Sequence, residues 1–184
     1  MSDRKKLCDA VKLIAWGFVF IFLDFNINTV SLLPNWVGYI LLLRALSALS
    51  EDEASAKLLH PLGVALAVWD GVLWAGNLFG VAVESYTAMT VIGYVITVIS
   101  MYFNFQLLTN LANAAEKYGC RQSGNIICLR TVNTVLILVL NLPLPWYELE
   151  AVAIALLITM FVVTMWICYV LFLVKKELEA IPEN

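Results

Sequence analysis

Six long apolar runs follow one another along the chain, with short polar connections between them. Each run has about 20 residues or more, which is enough for a helix to cross a hydrocarbon core roughly 30 Å thick. We therefore predict membrane-spanning helices near residues 10–28, 32–50, 59–82, 87–112, 126–145 and 149–174. The shortness of the connections indicates a single membrane domain over residues 1–184.

The composition supports this interpretation of the apolar runs. Hydrophobic residues make up 62% of the chain and charged residues 14%, and the mean hydropathy is +0.87. A soluble domain has about 25% charged residues, so the composition excludes a soluble fold. The predicted fold class is all-α, a polytopic membrane helix bundle with six transmembrane helices.

The positions of the basic residues predict the orientation of the helices. All 11 lysines and arginines fall at the N-terminus, in or beside the second and fourth connections, or after the last span. The opposite connections hold Glu84, Glu148 and Glu150 and no basic residue. Short loops rich in lysine and arginine stay in the cytoplasm, so both termini are predicted to be cytoplasmic.

Cysteine and histidine usage argues against several kinds of site. Cys8, Cys120, Cys128 and Cys168 all map to the cytoplasmic half, where a reducing compartment favours free thiols. There is no C-x-x-C pair, and the single histidine, His60, is too little for a two-histidine zinc motif. Neither a phosphate-binding loop nor a nucleophile elbow occurs. We therefore expect no metal, no cofactor and no nucleic-acid partner.

The most informative polar residue is Asp70, about 11 residues into the third span and so about 17 Å along it, near mid-depth. Helical spacing places Trp74 and Asn77 on its face, and Trp69 adjoins it. A charge at this depth costs about 2.5–3.5 kcal/mol and usually has a partner. Two interpretations stay open: a cation or proton site lined by these residues, or a structural ion pair with Arg44.

A second polar region is the stretch FLDFNINTVSLLPNW, from Phe22 to Trp36. It begins inside the first span and ends at the start of the second, so we expect it to form the outer mouth of that hairpin. Asp24, Asn28 and Asn35 supply polar groups for backbone that leaves the helix. The stretch is either a self-satisfied tight turn or an outward-facing vestibule that binds substrate.

Polar side chains at helical spacing mark faces on two further spans, where interhelical hydrogen bonds are the expected use. These are Thr90, Thr97 and Asn104 in the fourth span, and Arg130, Thr134 and Asn141 in the fifth. Arg130 is close enough to the inner boundary to extend toward the interface. In the third span, Gly76 and Gly80 form a G-x-x-x-G motif, which favours close approach of another helix, including one from a second copy of the chain.

The first two spans carry a recognisable pattern. Asp24-Phe25-Asn26-Ile27-Asn28 is followed by Leu33-Pro34-Asn35 and then by Gly38-Tyr39-Ile40-Leu41. This pattern resembles an uncharacterised family of small bacterial multi-span integral membrane proteins. The resemblance covers about a quarter of the chain. It implies location in the bacterial cytoplasmic membrane and adds no mechanism.

Three functions are compatible with the sequence. The first is a small solute or cation transporter or channel-like protein with Asp70 as its site. The second is a non-catalytic subunit or scaffold that binds a partner membrane protein through the faces of its spans. The third is an intramembrane lipid-acting enzyme that uses Asp24 or Asp70 as acid or base, although no known catalytic motif supports it.

Overall fold

The computed structural model describes residues 3–22, 26–27, 30–31, 34–80, 87–142, 144–146 and 148–181. A helix lies at each of the six predicted positions. The helices are α1 (Asp3–Phe22), α2 (Asn35–Asp52), α3 (His60–Leu78), α4 (Thr87–Lys117), α5 (Ser123–Leu140) and α6 (Glu150–Ala180). A 3₁₀ helix, Ala54–Leu59, connects α2 to α3.

Four helical segments are long and apolar enough to cross a membrane. They are Ser55–Leu78, Met89–Lys117, Ser123–Leu140 and Glu150–Ala180. The described parts of α1 and α2 are not both long enough and apolar enough to be counted with them. Charged residues such as Arg4, Lys5 and Lys6 occupy the first turns of α1, and Arg44 interrupts α2, so each helix has a shorter apolar stretch.

The end of the first predicted span is wrong. Helix α1 ends at Phe22, and the chain then forms two short antiparallel strands, β1 (Asn26–Ile27) and β2 (Val30–Ser31). Asn26 lies opposite Ser31 and Ile27 opposite Val30. Asparagine is a weak helix former because its side chain competes for backbone hydrogen bonds. The pairing supplies partners for backbone groups that leave the helix, as a tight turn requires.

The helices pack in chain order, and the last closes on the first. Each helix contacts the next one along the chain, and α6 packs against both α5 and α1. The N-terminus, the α2–α3 and α4–α5 connections and the C-terminus therefore lie at the same end of the bundle, which we call the terminal end. Polar contacts join them there: Arg4 donates to the Ile181 carbonyl, and the Lys117 ammonium lies 2.5 Å from the Glu53 carboxylate.

Apolar packing is concentrated in the half of the bundle toward the terminal end. The largest fully buried side chains are Phe18, Phe103, Leu7, Ile14, Leu42, Leu46, Leu49, Leu59, Leu66, Leu107, Leu108 and Leu111. They come from α1, from α2 and the 3₁₀ helix that follows it, from the first half of α3 and from the second half of α4. Close packing of these side chains, together with buried α6 residues such as Leu171 and Val174, holds the helices together at this end.

The opposite half of the bundle exposes its apolar side chains. Five apolar side chains there are between 49% and 60% exposed: Val91 and Val95 in α4, Leu138 in α5, and Leu157 and Ile158 in α6. A contiguous apolar surface of this kind is unfavourable in water and favourable against acyl chains. The exposed surface, like the composition, is that of a membrane protein.

Helices α1 and α2 approach each other most closely at two glycines. A Cβ atom at Gly38 would lie 2.8 Å from the Gly17 carbonyl oxygen, and a Cβ at Gly17 would lie 2.6 Å from Leu42 Cδ2. The predicted glycine face of the third span does not form on α3. Gly80 lies beyond the end of that helix, with φ at +71° and nothing within 4 Å of its Cβ position.

We expect Gly38→Ala to destabilise the bundle by about 1–3 kcal/mol, because the added methyl group overlaps backbone that cannot move freely. Gly124→Ala is the matched control, since no atom lies within 4 Å of the Cβ position in that helix. The control should be neutral or slightly stabilising. Thermal unfolding in detergent, followed by circular dichroism, measures both. Equal melting temperatures for the two variants would contradict the close approach.

Candidate functional site

A cleft of about 530 Å³ lies between α2, α3, α4 and α5. It occupies the loosely packed half of the bundle, away from the terminal end. Helix α3 contributes Trp69, Asp70 and Leu73, and α2 contributes Tyr39. The remaining wall comes mainly from α4, in the segment from Met89 to Met101, with Ile137 and Asn141 from the end of α5.

Asp70 lines this cleft as predicted, and it has no partner for its charge. The side chain is half-buried. Among the described residues it forms neither an ion pair nor a hydrogen bond. The Tyr39 hydroxyl is close enough to interact with it electrostatically. A carboxylate at this depth is costly without a counter-ion. The arrangement leaves the carboxylate available to a cation or a proton that enters the cleft.

The predicted ion pair between Arg44 and Asp70 is absent from the structure. Arg44 is exposed on α2, whereas Leu42, Ala45 and Leu46 form the buried face of that helix. Gly63 of α3 lies against Leu43 of α2, so Arg44 is roughly 10 Å nearer the terminal end than Asp70, which is seven residues further along α3. Depth along a span also does not fix the direction in which a side chain points. The arginine therefore leaves Asp70 uncompensated.

The residues predicted to surround Asp70 are only partly correct. Trp69 lines the cleft, but Trp74 does not, since its ring packs edge-on against Trp36 with centroids 6.1 Å apart. Asn77 is exposed near the end of α3 and is not part of the cleft wall. Each step of one residue along a helix turns the side-chain direction by about 100°. Residues on the same side of α3 can therefore contact different neighbouring helices.

The predicted residues of the outer mouth fall partly outside the described part of the chain. Asp24 and Asn28 lie outside it. Asn35 is the first residue of α2, and its side-chain oxygen is buried without a hydrogen-bond partner in the described structure. Asn35 is not among the residues of the cleft wall.

Helix α4 supplies a polar stripe that the sequence revealed only in part. The predicted face of Thr90, Thr97 and Asn104 is real, and Gly93 and Ser100 complete it at helical spacing. The Thr97 hydroxyl donates to the Gly93 carbonyl oxygen at 3.0 Å. A Cβ at Gly93 would lie 3.9 Å from Trp69 Cζ2, so Gly93 faces the indole across ordinary van der Waals distance.

A short hydrogen-bond chain leads from the cleft toward the packed half of the bundle. The Tyr39 and Ser100 hydroxyl oxygens are 3.2 Å apart, and the Asn104 amide donates to Ser100 at 3.4 Å. The side-chain oxygen of Asn104 is buried and has no partner in the described residues. An orphan acceptor of this kind suits a bound water at the bottom of the cleft.

Below Asn104 the interior becomes apolar. Phe103 packs edge-on against Tyr39 at 6.1 Å, and a Cβ at Gly63 would lie 3.0 Å from the Phe103 ring. Leu107 and Leu111 continue the buried face of α4. This layer closes the cleft toward the terminal end, so the structure shows a cleft accessible from one half of the bundle only.

The chemistry of the wall favours a monovalent cation with an apolar body. A divalent metal prefers several oxygen ligands, often with more than one carboxylate. Within the described residues no group of three or more metal-binding side chains occurs, and Asp70 is the sole carboxylate of the cleft wall. Tyr39, Trp69 and Tyr94 supply aromatic faces, which attract ammonium groups.

Comparison of the chain with protein-family models, with curated proteins and with solved structures finds no match. The function proposed below is therefore argued from the geometry of the cleft and the physical chemistry of its residues.

The four cysteines are free, and Cys8, Cys120 and Cys168 are buried whereas Cys128 is exposed. Cys120 lies in the connection between α4 and α5. Burial, reinforced by the negative charge of Glu177, raises the pKa of the Cys120 thiol to about 11. Burial also raises the pKa of Cys8. Both thiols are protonated at neutral pH and are therefore weak nucleophiles.

We expect the stability of the protein to fall as the pH rises from about 9 to about 11, because the unfolded chain ionises Cys120 in this range and the folded chain does not. Cys120→Ala should weaken this dependence, and Cys128→Ala should leave it unchanged because that thiol is exposed. Thermal unfolding in detergent over this pH range provides the measurement. The same pH slope in wild type and Cys120→Ala would show that Cys120 makes no contribution.

Proposed function

We propose that the protein is a small membrane transporter or channel-like protein that binds an organic monocation, such as a small amine, in the cleft. Asp70 neutralises the charge of the cation or exchanges a proton with it. Trp69, Tyr39 and Tyr94 contact its apolar part. The observation that supports this function most strongly is the uncompensated Asp70 carboxylate in a half-open cleft between helices of membrane-spanning length.

The proposal includes six membrane spans with both termini in the cytoplasm of a bacterial cell. The packing supports six spans, since α1 and α2 lie side by side between α6 and α3. The orientation is supported by the basic residues, because the terminal end carries contacts such as Lys117–Glu53 and Lys175–Glu179. In this orientation the cleft lies toward the outer leaflet and is closed toward the cytoplasm.

The two other functions have weaker support. A subunit or scaffold role is consistent with the exposed apolar faces of α4 to α6, but lipid alone would also cover those faces. A lipid-acting enzyme that uses general acid–base catalysis commonly needs a second titratable group in reach. Among the described residues of the cleft wall, the titratable groups that accompany Asp70 are the tyrosines Tyr39 and Tyr94, and the Tyr39 hydroxyl is within hydrogen-bond distance of Ser100.

We expect Asp70→Asn to reduce flux of a small organic cation by at least about tenfold, the size expected when a charge-assisted contact is lost. Purified protein in sealed proteoliposomes, with an imposed proton gradient, a pH-sensitive dye and a panel of amines, gives the measurement. Asp9→Asn is the matched control, because Asp9 is an exposed acid in the first turns of α1. Wild-type flux through Asp70→Asn would refute the assignment.

A stability measurement separates loss of function from loss of folding. Asp70→Asn removes a half-buried charge without a counter-ion, so it should melt at the same temperature as wild type or higher. Gly93→Leu provides an independent test, because its side chain would enter the cleft beside Trp69 without changing any charge. It should also lower flux. A folded Gly93→Leu variant with normal flux would contradict use of the cleft.

A further inference from the structure

A groove of about 520 Å³ runs along the outside of the bundle between α4 and α5. It shares Tyr94, Thr97, Met101 and Asn141 with the cleft but continues past Tyr102 to Phe105. From residue 94 to residue 105 the groove extends for about 16 Å at 1.5 Å per residue. This length is close to half of a hydrocarbon core roughly 30 Å thick, which is the acyl layer of one leaflet.

The groove is largely apolar, although two threonines, two tyrosines and one asparagine lie in its wall. The Thr97 hydroxyl donates to the Gly93 carbonyl, the Thr134 hydroxyl to the Arg130 carbonyl at 2.8 Å, and the Asn141 amide to the Ile137 carbonyl at 2.8 Å. These three side chains therefore bond to the backbone of their own helices. The groove presents hydrocarbon and aromatic surface, which suits an acyl chain better than a polar solute.

Arg130 lies at the end of the groove nearer the terminal end. Its guanidinium carbon is 4.0 Å from the centroid of the Phe105 ring, which forms the last part of the groove wall. One terminal nitrogen donates to the Thr109 hydroxyl of α4 at 2.7 Å, a hydrogen bond between two helices. The Arg130 side chain therefore lies against α4.

The charge of Arg130 is incompletely compensated by the protein. Its Nε atom is buried and has no hydrogen-bond partner in the described structure. Within the described part of the chain no carboxylate lies within ion-pair distance of the guanidinium, whose neighbours are two hydroxyl groups and an aromatic ring. Arginine binds phosphate oxygens well because its planar group offers several donors.

We infer that this groove is a binding site for an anionic phospholipid. The acyl chain lies along the groove between α4 and α5, and the phosphate accepts hydrogen bonds from Arg130. The site has a positive charge at one end of a groove about as long as the acyl layer of one leaflet. An anionic phospholipid has the matching arrangement, with a negative charge at one end of its hydrocarbon chain. The inference does not depend on the function proposed for the cleft.

Native mass spectrometry of the detergent-purified protein tests the lipid site. The protein is equilibrated with equal amounts of phosphatidylglycerol and phosphatidylcholine that carry identical acyl chains. Wild type should retain phosphatidylglycerol in preference. Arg130→Gln should bind it about tenfold more weakly, the size expected from loss of one charge-assisted hydrogen bond. Arg44→Gln, which removes an exposed arginine in α2, should retain it like wild type.

A second variant tests the groove without altering the charge. Leu138→Trp places a larger side chain in the groove wall and should lower retention of both lipids while Arg130 is intact. If thermal unfolding shows that Arg130→Gln does not fold, the Leu138→Trp variant alone tests lipid binding in the groove. Equal retention of the two lipids by wild type, or unchanged retention by either folded variant, would overturn the inference. Displacement of phosphatidylglycerol by inorganic phosphate would overturn it in favour of a free-phosphate site.

Discussion

Burial of apolar side chains at the terminal end of the bundle is the interaction on which the other features depend. Buried leucines such as Leu49 and Leu111 fix the helices relative to one another at that end. The close approach of Gly17 and Gly38 holds α1 to α2 nearer the opposite end, whereas α3, α4 and α5 leave room between them there. The cleft around Asp70 lies in this space.

The difference between the two halves has a chemical consequence. In the packed half, the side-chain oxygen of Asn110 accepts hydrogen bonds from Ser55 and Gln106, both at 2.9 Å, although its amide nitrogen is buried without a partner in the described structure. In the open half, Asp70 has no such partner in the described structure. An ionised carboxylate inside a membrane is stable when water, a proton or a cation compensates it. Within the described structure, the fold therefore leaves the acidic side chain of the cleft without a protein counterpart.

The sequence predicted the helices well because each apolar run is long and its connections are polar. It failed at Asn26, where hydrophobicity alone could not reveal that the chain leaves the helix and forms a short pair of strands. For the site, spacing on one helix predicted Asp70, Trp69 and the stripe of α4. It could not predict that Tyr39 contacts Ser100, because that contact depends on how two helices face each other. The orientations of Arg44 and Trp74 likewise depend on how neighbouring helices face each other.

The most direct test of a wet, charged cleft is the accessibility of cysteines placed on two adjacent residues of α3. Leu73 lines the cleft, whereas Val72 is half-exposed on the apolar outer surface and is not part of the cleft wall. In a background without the four native cysteines, a membrane-impermeant thiol reagent is applied to intact cells. The structure and the proposed orientation predict labelling of Leu73→Cys, slowed by a bound amine, and no labelling of Val72→Cys. Protection of both cysteines, or equal labelling of both, would contradict an outward-facing aqueous cleft.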